Sequence, residues 1–578
     1  MALSRHAGAT PDPPLDLPMN SISSGREKAP VSGRDRTVIY LSILTALFLA
    51  ALDQTIVATA LPRMVEDLQG IDRYAWVATA YLMASTALAL VYGKLADTYS
   101  RKMVTLGAIG LFLLGSILCG LSGEFGDLPL LGDGMTQLVI FRGIQGAGGG
   151  GLFAMTFIVI ADLFTPAERG KYQGYVGAVF GVASVLGPVI GGLLTDRAGG
   201  WLPGIEGWRW VFYVNVPVAA VALWFIVRRM PRLEPTGERL PPDLLGSVLL
   251  LGGLIPLILS LQIDKRAYPW TSPETLALFV VGVALLTGFV MRSRSSPSPI
   301  LDLRLFGNRV FRTANLTTFF FGAAFMSVTI FLPLFLVNVL GVSATRAGAV
   351  LIPFSLGIVT SATLAGQIVN RVGYRSQLFL GAVLFLLSVV LLARMGPDIS
   401  YWMITLYMIL AGLGAGPSMP LLTLAIQNAV DVRFVGQATS ASQFFRQTGA
   451  TVGAAIMGTL LATTLGFAFA EIDMPTAWVE DSDTPLEELV STGGADLPER
   501  INSFYLGMAE DAATPAAATA LVAEGAAVTN RIMGEVREAF SLATSRIYWL
   551  TALVMLVTAL LALRIPELPL RTTYDRVE

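Results

Sequence analysis

The chain has 578 residues, 54% of them hydrophobic and only 14% charged, with a mean hydropathy of +0.65. A water-soluble domain carries about 25% charged residues, so the composition excludes a soluble globular protein and makes lipid the expected solvent. A net charge of −2 argues against a nucleic-acid partner, and a single cysteine (Cys119) and a single histidine (His6) leave no disulfide framework and no Cys/His metal centre.

Residues 1–36 are rich in Pro, Ser and charge and lack an apolar stretch before a cleavage site, which predicts a disordered cytosolic tail rather than a signal peptide. A bilayer core about 30 Å thick needs about 20 apolar residues per helix. Such runs fall at 37–60, 74–95, 103–122, 137–161, 171–195, 208–228, 243–263 and 274–291, and then at 313–340, 347–369, 376–395, 401–424, 437–465 and 546–565. Fourteen spans place both termini on one side. Most of the 39 Lys and Arg then fall in the tails and the even-numbered loops, as the positive-inside rule requires of cytosolic segments.

Span 1 holds Asp53, the one acidic residue well inside a predicted span, about 12 Å from its outer end at 1.5 Å per residue. A carboxyl group withdrawn from water can exchange protons near neutral pH. Span 4 carries "FRGIQGAGGGG", in which Gly146, Gly148 and Gly151 have the G-x-G-x-x-G spacing of a dinucleotide turn. That turn must follow a β-strand and open a helix, whereas 137–161 is one long apolar run. Small residues that let membrane helices approach closely account for the glycines better. Arg142, costly in lipid, is a functional candidate, and Gln145 shares its helix face. The absence of a Walker motif argues against ATP drive.

"GKLADTYSRK" at 93–102 and "GQIVNRVGYR" at 366–375 join spans 2–3 and 10–11 on the same side, pairing Gly93 with Gly366, Asp97 with Asn370 and Lys102 with Arg375. The chain therefore reads as two parallel halves around a cavity, a transporter plan. With these motifs it resembles the major facilitator superfamily, in its 14-span drug/proton antiporter branch (EmrB/QacA type). Gly93, Leu95, Asp97, Arg101 and Lys102 match the hallmark loop, with departures at Thr98 and Ser100. Arg142 and Gly146 match the span-4 motif, and "GVASVLGPVIGG" (Gly181, Gly187, Pro188, Gly191, Gly192) matches the antiporter motif of span 5. "LDQTIVATALP" at 52–62 and "WRWVFYVNVP" at 208–217 resemble signatures of the branch.

The resemblance implies an all-α polytopic membrane protein of 14 transmembrane helices, with two six-helix bundles at 37–230 and 311–566. Two linker helices at 243–292 are inserted between them, and 567–578 forms a cytosolic tail. It further implies a proton-coupled antiporter of the cell membrane that exports hydrophobic or amphipathic small molecules by alternating access. The expected cofactor is none beyond the proton gradient, and no enzyme activity is expected. Asp53, Arg142 and Gln145 would couple protons, and Gly93, Asp97, Arg101 and Lys102 would gate the cytosolic mouth. The span-5 glycines, Gly177 and Gly181 with Gly187, Gly191 and Gly192, would seal one bundle against the other around a bend at Pro188.

Arg446, placed near the cytosolic end of span 13, is a second in-membrane cation. With Phe319 and Phe325 of span 9 it is a candidate for the substrate cavity. Asn315 and Asn338 are expected to cap helix ends or face water. The stretch 466–545, acidic and then Ala-rich, predicts a helical lid or hairpin outside the membrane, a candidate dock for an extracytoplasmic partner. A lipid or glycolipid exporter of the same fold is the alternative reading. A receptor or scaffold that has lost transport is the more remote one.

Overall fold

A computed structural model describes residues 33–571, except 71–72, 128, 130, 199–200, 202–204, 232, 234–242, 264, 266, 473–496 and 511–513. The predicted tail up to residue 32, the acidic opening of the 466–545 stretch and the final residues 572–578 lie outside the described residues. The helices are α1 (Gly33–Leu68), α2 (Tyr74–Thr98), α3 (Arg101–Gly120), α4 (Gly134–Leu163) and α5 (Pro166–Arg197). They continue with α6 (Gly207–Arg229), α7 (Leu244–Gln262), α8 (Pro273–Ser295), α9 (Arg309–Asn338) and α10 (Arg346–Val372). The last are α11 (Tyr374–Ala393), α12 (Tyr401–Ala429), α13 (Val432–Ala470), α14 (Leu497–Glu510) and α15 (Pro515–Arg564).

All but α14 are long and apolar enough to cross a membrane, which makes fourteen among the described residues. An even count puts the first and last described residues on one side, here called the terminal face. Local signals set the ends. Asp133 caps α4 by accepting from the Thr136 amide, and Thr165 and Glu168 form a capping box at the start of α5, where Pro166 occupies the first turn. Gly373 alone joins α10 to α11 and takes φ +79°, a left-handed conformation that suits glycine.

Helices α1–α6 share one set of apolar clusters and α9–α15 another, a further cluster joins the two halves and the inserted helices, and α7 packs on α8, α2 and α13. Glycines let backbones touch. A Cβ at Gly146 would meet the Tyr81 carbonyl of α2, one at Gly148 the Phe112 amide of α3, and one at Gly150 the Ser85 carbonyl. Five of the six glycines, all but Gly143, thus form a three-helix seam in which no strand takes part.

One region differs from the sequence reading. The last spanning helix does not begin near 546 but at Pro515, because Thr514 caps it and the Ala-rich run that follows favours helix. It continues for 50 residues, about 75 Å at 1.5 Å per residue. Its outer part and α14 form a hairpin: Thr529 bonds Asn502 at 3.1 Å, and Ile501, Tyr505, Ile532 and Val536 are buried in the C-terminal core. Beyond α15, residues 567–571 are tied to the C-terminal half. Glu567 accepts from the amides of Tyr374 (2.9 Å) and Arg375 (2.8 Å), and the Arg571 side chain donates to the Asn428 carbonyl at 2.5 Å.

Candidate functional site

Asp53 has no solvent exposure and lies about 22 Å from the end of α1 at 1.5 Å per residue, deeper than the sequence suggested because α1 runs to Leu68. One carboxylate oxygen accepts from Arg142 Nη1 at 2.7 Å. The other accepts from Gln145 Nε2 at 2.7 Å and Asn215 Nδ2 at 3.0 Å. Arg142 also donates to Gln145 Oε1 at 2.6 Å and to the Val77 carbonyl at 3.3 Å, and its guanidinium lies 4.4 Å from the centre of the Tyr81 ring. The site thus joins α1, α4 and α6 in one sealed network, with α2 supplying the aromatic wall. Gly146 keeps Tyr81 close enough to stack on Arg142, one turn earlier on the same helix.

Sequence reasoning missed Asn215. It is uncharged, in an apolar run, and only its place inside "WRWVFYVNVP" could have drawn notice. It begins the second helical piece of α6 and is oriented by Ser116, which its amide meets at 2.9 Å.

At the terminal face, Asp97 accepts from the amides of Gly436 (3.0 Å) and Gln437 (2.8 Å), at the start of α13 in the other half. The positive end of a helix suits a carboxylate. Arg101 stands 3.6 Å from Asp97 and 2.8 Å from Asp162 at the end of α4. Asp162 was not singled out from sequence because it sits at a helix end, where acids are common. Lys102 donates to the Val227 carbonyl, and a Cβ on Gly93 would strike Ser440 and the Gly436 carbonyl. Further links between the halves are Thr86 to Gln447 (2.7 Å), Gln173 to Gln427 (2.9 Å) and Asn370 to the Ala167 carbonyl (2.9 Å). The halves are therefore closed on each other at the terminal face.

The span-5 glycines divide into two sets. Gly170, Gly174, Gly177 and Gly181 face α10 across the halves, at Gly366, Ala362 and Val359. Gly187 and Gly191 instead face Thr55, Thr59 and Ile56 of α1, within the same half, and a Cβ on Gly192 would meet nothing. The inter-bundle seal expected of Gly187, Gly191 and Gly192 is thus corrected: a turn beyond Gly181, the small face of α5 has rotated from α10 to α1. Helix α5 is unbroken through Pro188.

In the C-terminal half, Arg446 lines a narrow cavity with Thr318, Phe321, Ser418, Thr423 and Gln443. It sits not at a helix end but ten residues beyond Gly436, about 15 Å along α13. Phe319 and Phe325 are elsewhere. Phe319 packs on Phe320 and its backbone touches Gly449, while Phe325 packs at a tilt on Phe321 and Phe354 at the core. Asn315 is buried at 1% exposure and donates to the Phe311 carbonyl, so it does not face water. Asn338 donates to the Leu334 carbonyl.

The family model described as Major Facilitator Superfamily matches residues 43–454. The chain belongs to this superfamily. It is 36% identical over 426 residues to "Multidrug transporter protein MdtP" of Bacillus subtilis, covering 74% of this chain and 75% of the relative. It is 37% identical over 423 residues to "Multidrug resistance protein 3" of the same organism, covering 73% and 79%. Among solved structures, the human organic anion transporter MFSD10 aligns over 90% of this chain and 99% of its own, with a TM-score of 0.55 at 13% identity, a likeness of fold alone.

Proposed function

We propose that this chain is a proton-coupled exporter of hydrophobic or amphipathic small molecules, working as an antiporter across the cell membrane with its terminal face in the cytosol. The excess of Lys and Arg on that face supports the orientation, and relatives named as multidrug transporters support drug-like cargo. The observation that carries the reading is the sealed Asp53–Arg142–Gln145–Asn215 network. An ionisable group held in the membrane interior is expensive and marks a transport path by default. Protonation of Asp53 removes its negative charge and turns one of its oxygens into a donor, which weakens its hold on Arg142 of α4 and disturbs the contacts with Gln145 and Asn215. A change of packing there alters how α1 and α4 meet, and the bundles rock against each other, parting the contacts of the terminal face as the cytosolic side opens. Asp97, on the α13 start, stabilises the state closed to the cytosol.

The test is accumulation by inside-out vesicles holding the full chain. Ethidium, rhodamine 6G, 11-(dansylamino)undecanoic acid and a fluorescent phospholipid are offered with and without an imposed pH gradient. The reading expects gradient-dependent uptake of at least one of the first three. Uptake of the phospholipid alone favours a lipid exporter, and no gradient dependence with any probe overturns proton coupling.

A further inference from the structure

Arg446 and Arg142 are both cations inside membrane helices, but their surroundings differ. Arg142 is neutralised by Asp53, whereas no Asp or Glu pairs with Arg446 among the described residues. Its Nε and Nη2 share a single neutral acceptor, Gln443 Oε1, at 3.2 and 2.7 Å. At about 15 Å along α13 from Gly436 it lies too deep for an easy reach to either interface, and an uncompensated charge at that depth is costly.

The cavity beside it is lined by both polar and apolar groups. Arg446, Gln443, Ser418 and Ser442 form the polar part, and Phe321 and Leu422 the apolar part. Helix α12 keeps helical torsions through Gly416 and Pro417, and its Ser418 reaches the same cavity. The guanidinium sets the charge sign that the site favours, and the hydroxyls can donate to the same group.

We infer that the Arg446 cavity binds the anionic head of an amphipathic substrate, a carboxylate or sulfonate, with its apolar part against Phe321 and Leu422. This rests on the exporter reading and narrows its cargo: the carboxylate supplies the counter-charge that Asp53 supplies to Arg142. A guanidinium, planar and always charged, suits a two-oxygen anion.

The experiment uses the purified full chain in nanodiscs and three probes sharing one fluorophore and chain: 11-(dansylamino)undecanoic acid, its uncharged primary amide, and the analogue ending in trimethylammonium. Saturable binding is measured at pH 7.5 for wild type, Arg446→Gln and Arg446→Lys. Wild type should bind the acid about tenfold or more tightly than the amide, the scale of one charge-assisted contact, and the cation most weakly. Arg446→Gln should erase the preference without weakening the amide, and Arg446→Lys should retain most of it. Equal affinity of wild type for acid and amide, a preference for the cation, or an acid preference that survives Arg446→Gln overturns the inference. Should Arg446→Gln fail to fold, the wild-type acid-to-amide ratio and its loss in Ser418→Leu, which fills the cavity, decide. Arg446-dependent acid binding without gradient-driven uptake would sink the exporter reading and leave the site. Gradient-driven uptake indifferent to head charge would do the reverse.

Discussion

In the N-terminal half, Gly146, Gly148 and Gly150 of α4 lie against Tyr81, Phe112 and Ser85; in the C-terminal half, Gly412, Gly414 and Gly416 of α12 lie against Phe354, Phe385 and Ile358. Four residues before the first glycine of each set stand Arg142 and Met408, and one residue before it Gln145 and Ala411, all buried. The same backbone seam therefore carries an ion-pair network in one half and hydrocarbon in the other. The loops repeat the lesson. Asp97 accepts from two amides at the start of α13, while its counterpart Asn370 donates to the Ala167 carbonyl at the start of α5. In both seams glycines set how close the helices come, and the N-terminal one places the Asp53–Arg142 ion pair beside them.

The most drastic way to break this contrast is to give the first half the chemistry of the second. Arg142→Met leaves Asp53 buried without its cation and should cost about 3–5 kcal/mol, the scale for stripping one partner from a buried pair. Asp53→Leu combined with Arg142→Met should regain most of that stability, since exchanging a whole buried pair for hydrocarbon is often neutral. Gradient-driven transport should stay lost. Thermal unfolding in detergent measures both, and a double variant no more stable than the single one contradicts the account.

Matched changes in the two seams sharpen it. Gly146→Leu and Gly412→Leu each overpack a backbone contact, at about 1–3 kcal/mol, so their melting temperatures should fall alike. Only the former moves Tyr81 off Arg142, so it should lose far more gradient-driven transport than Gly412→Leu. Titration calorimetry with NAD and ATP should give no saturable heat in wild type, which separates the helix-seam reading of the glycines from a nucleotide site.

At the loops the effect is smaller. Asp97→Asn keeps an acceptor for one α13 amide but removes the charge that Arg101 and the helix start favour. It should slow turnover several-fold with little change in KM; a normal rate with weakened KM speaks against a gating role.

The smallest effect lies on the far face, where the α4 cap has no role in coupling. The Thr136 hydroxyl, then its amide, then Arg73 hold the Asp133 carboxyl down at about 2. A depressed value means the stabilisation is fully present above the unfolded value of about 3.9 and is lost as pH falls through about 2. Asp133→Ala should cost about 1 kcal/mol near neutral pH, and the difference from wild type should shrink between pH 4 and pH 2 in chemical unfolding.

Much of this was legible in the residues. Charge inside an apolar run is so rare that Asp53, Arg142 and Arg446 identify themselves, and Gln145 follows from helical spacing. Asn215 did not, because a neutral amide costs little enough to pass unnoticed; only the fold carries it to Asp53. The division of the α5 glycines between α10 and α1 was also hidden, since sequence gives the spacing along one helix but not which neighbour each turn meets. The 50-residue α15 escaped because hydropathy marks where a helix enters lipid, whereas helix propensity continues well beyond it.

Proton movement at Asp53 tests the central claim most directly. Proteoliposomes loaded with a pH-sensitive dye receive the probe that wild type accumulates, with no pH gradient imposed beforehand. Wild type should drive protons opposite to the probe, shifting internal pH. Asp53→Asn should still let the probe equilibrate across the membrane but move no protons. A proton signal of wild-type size in Asp53→Asn would place the coupling elsewhere.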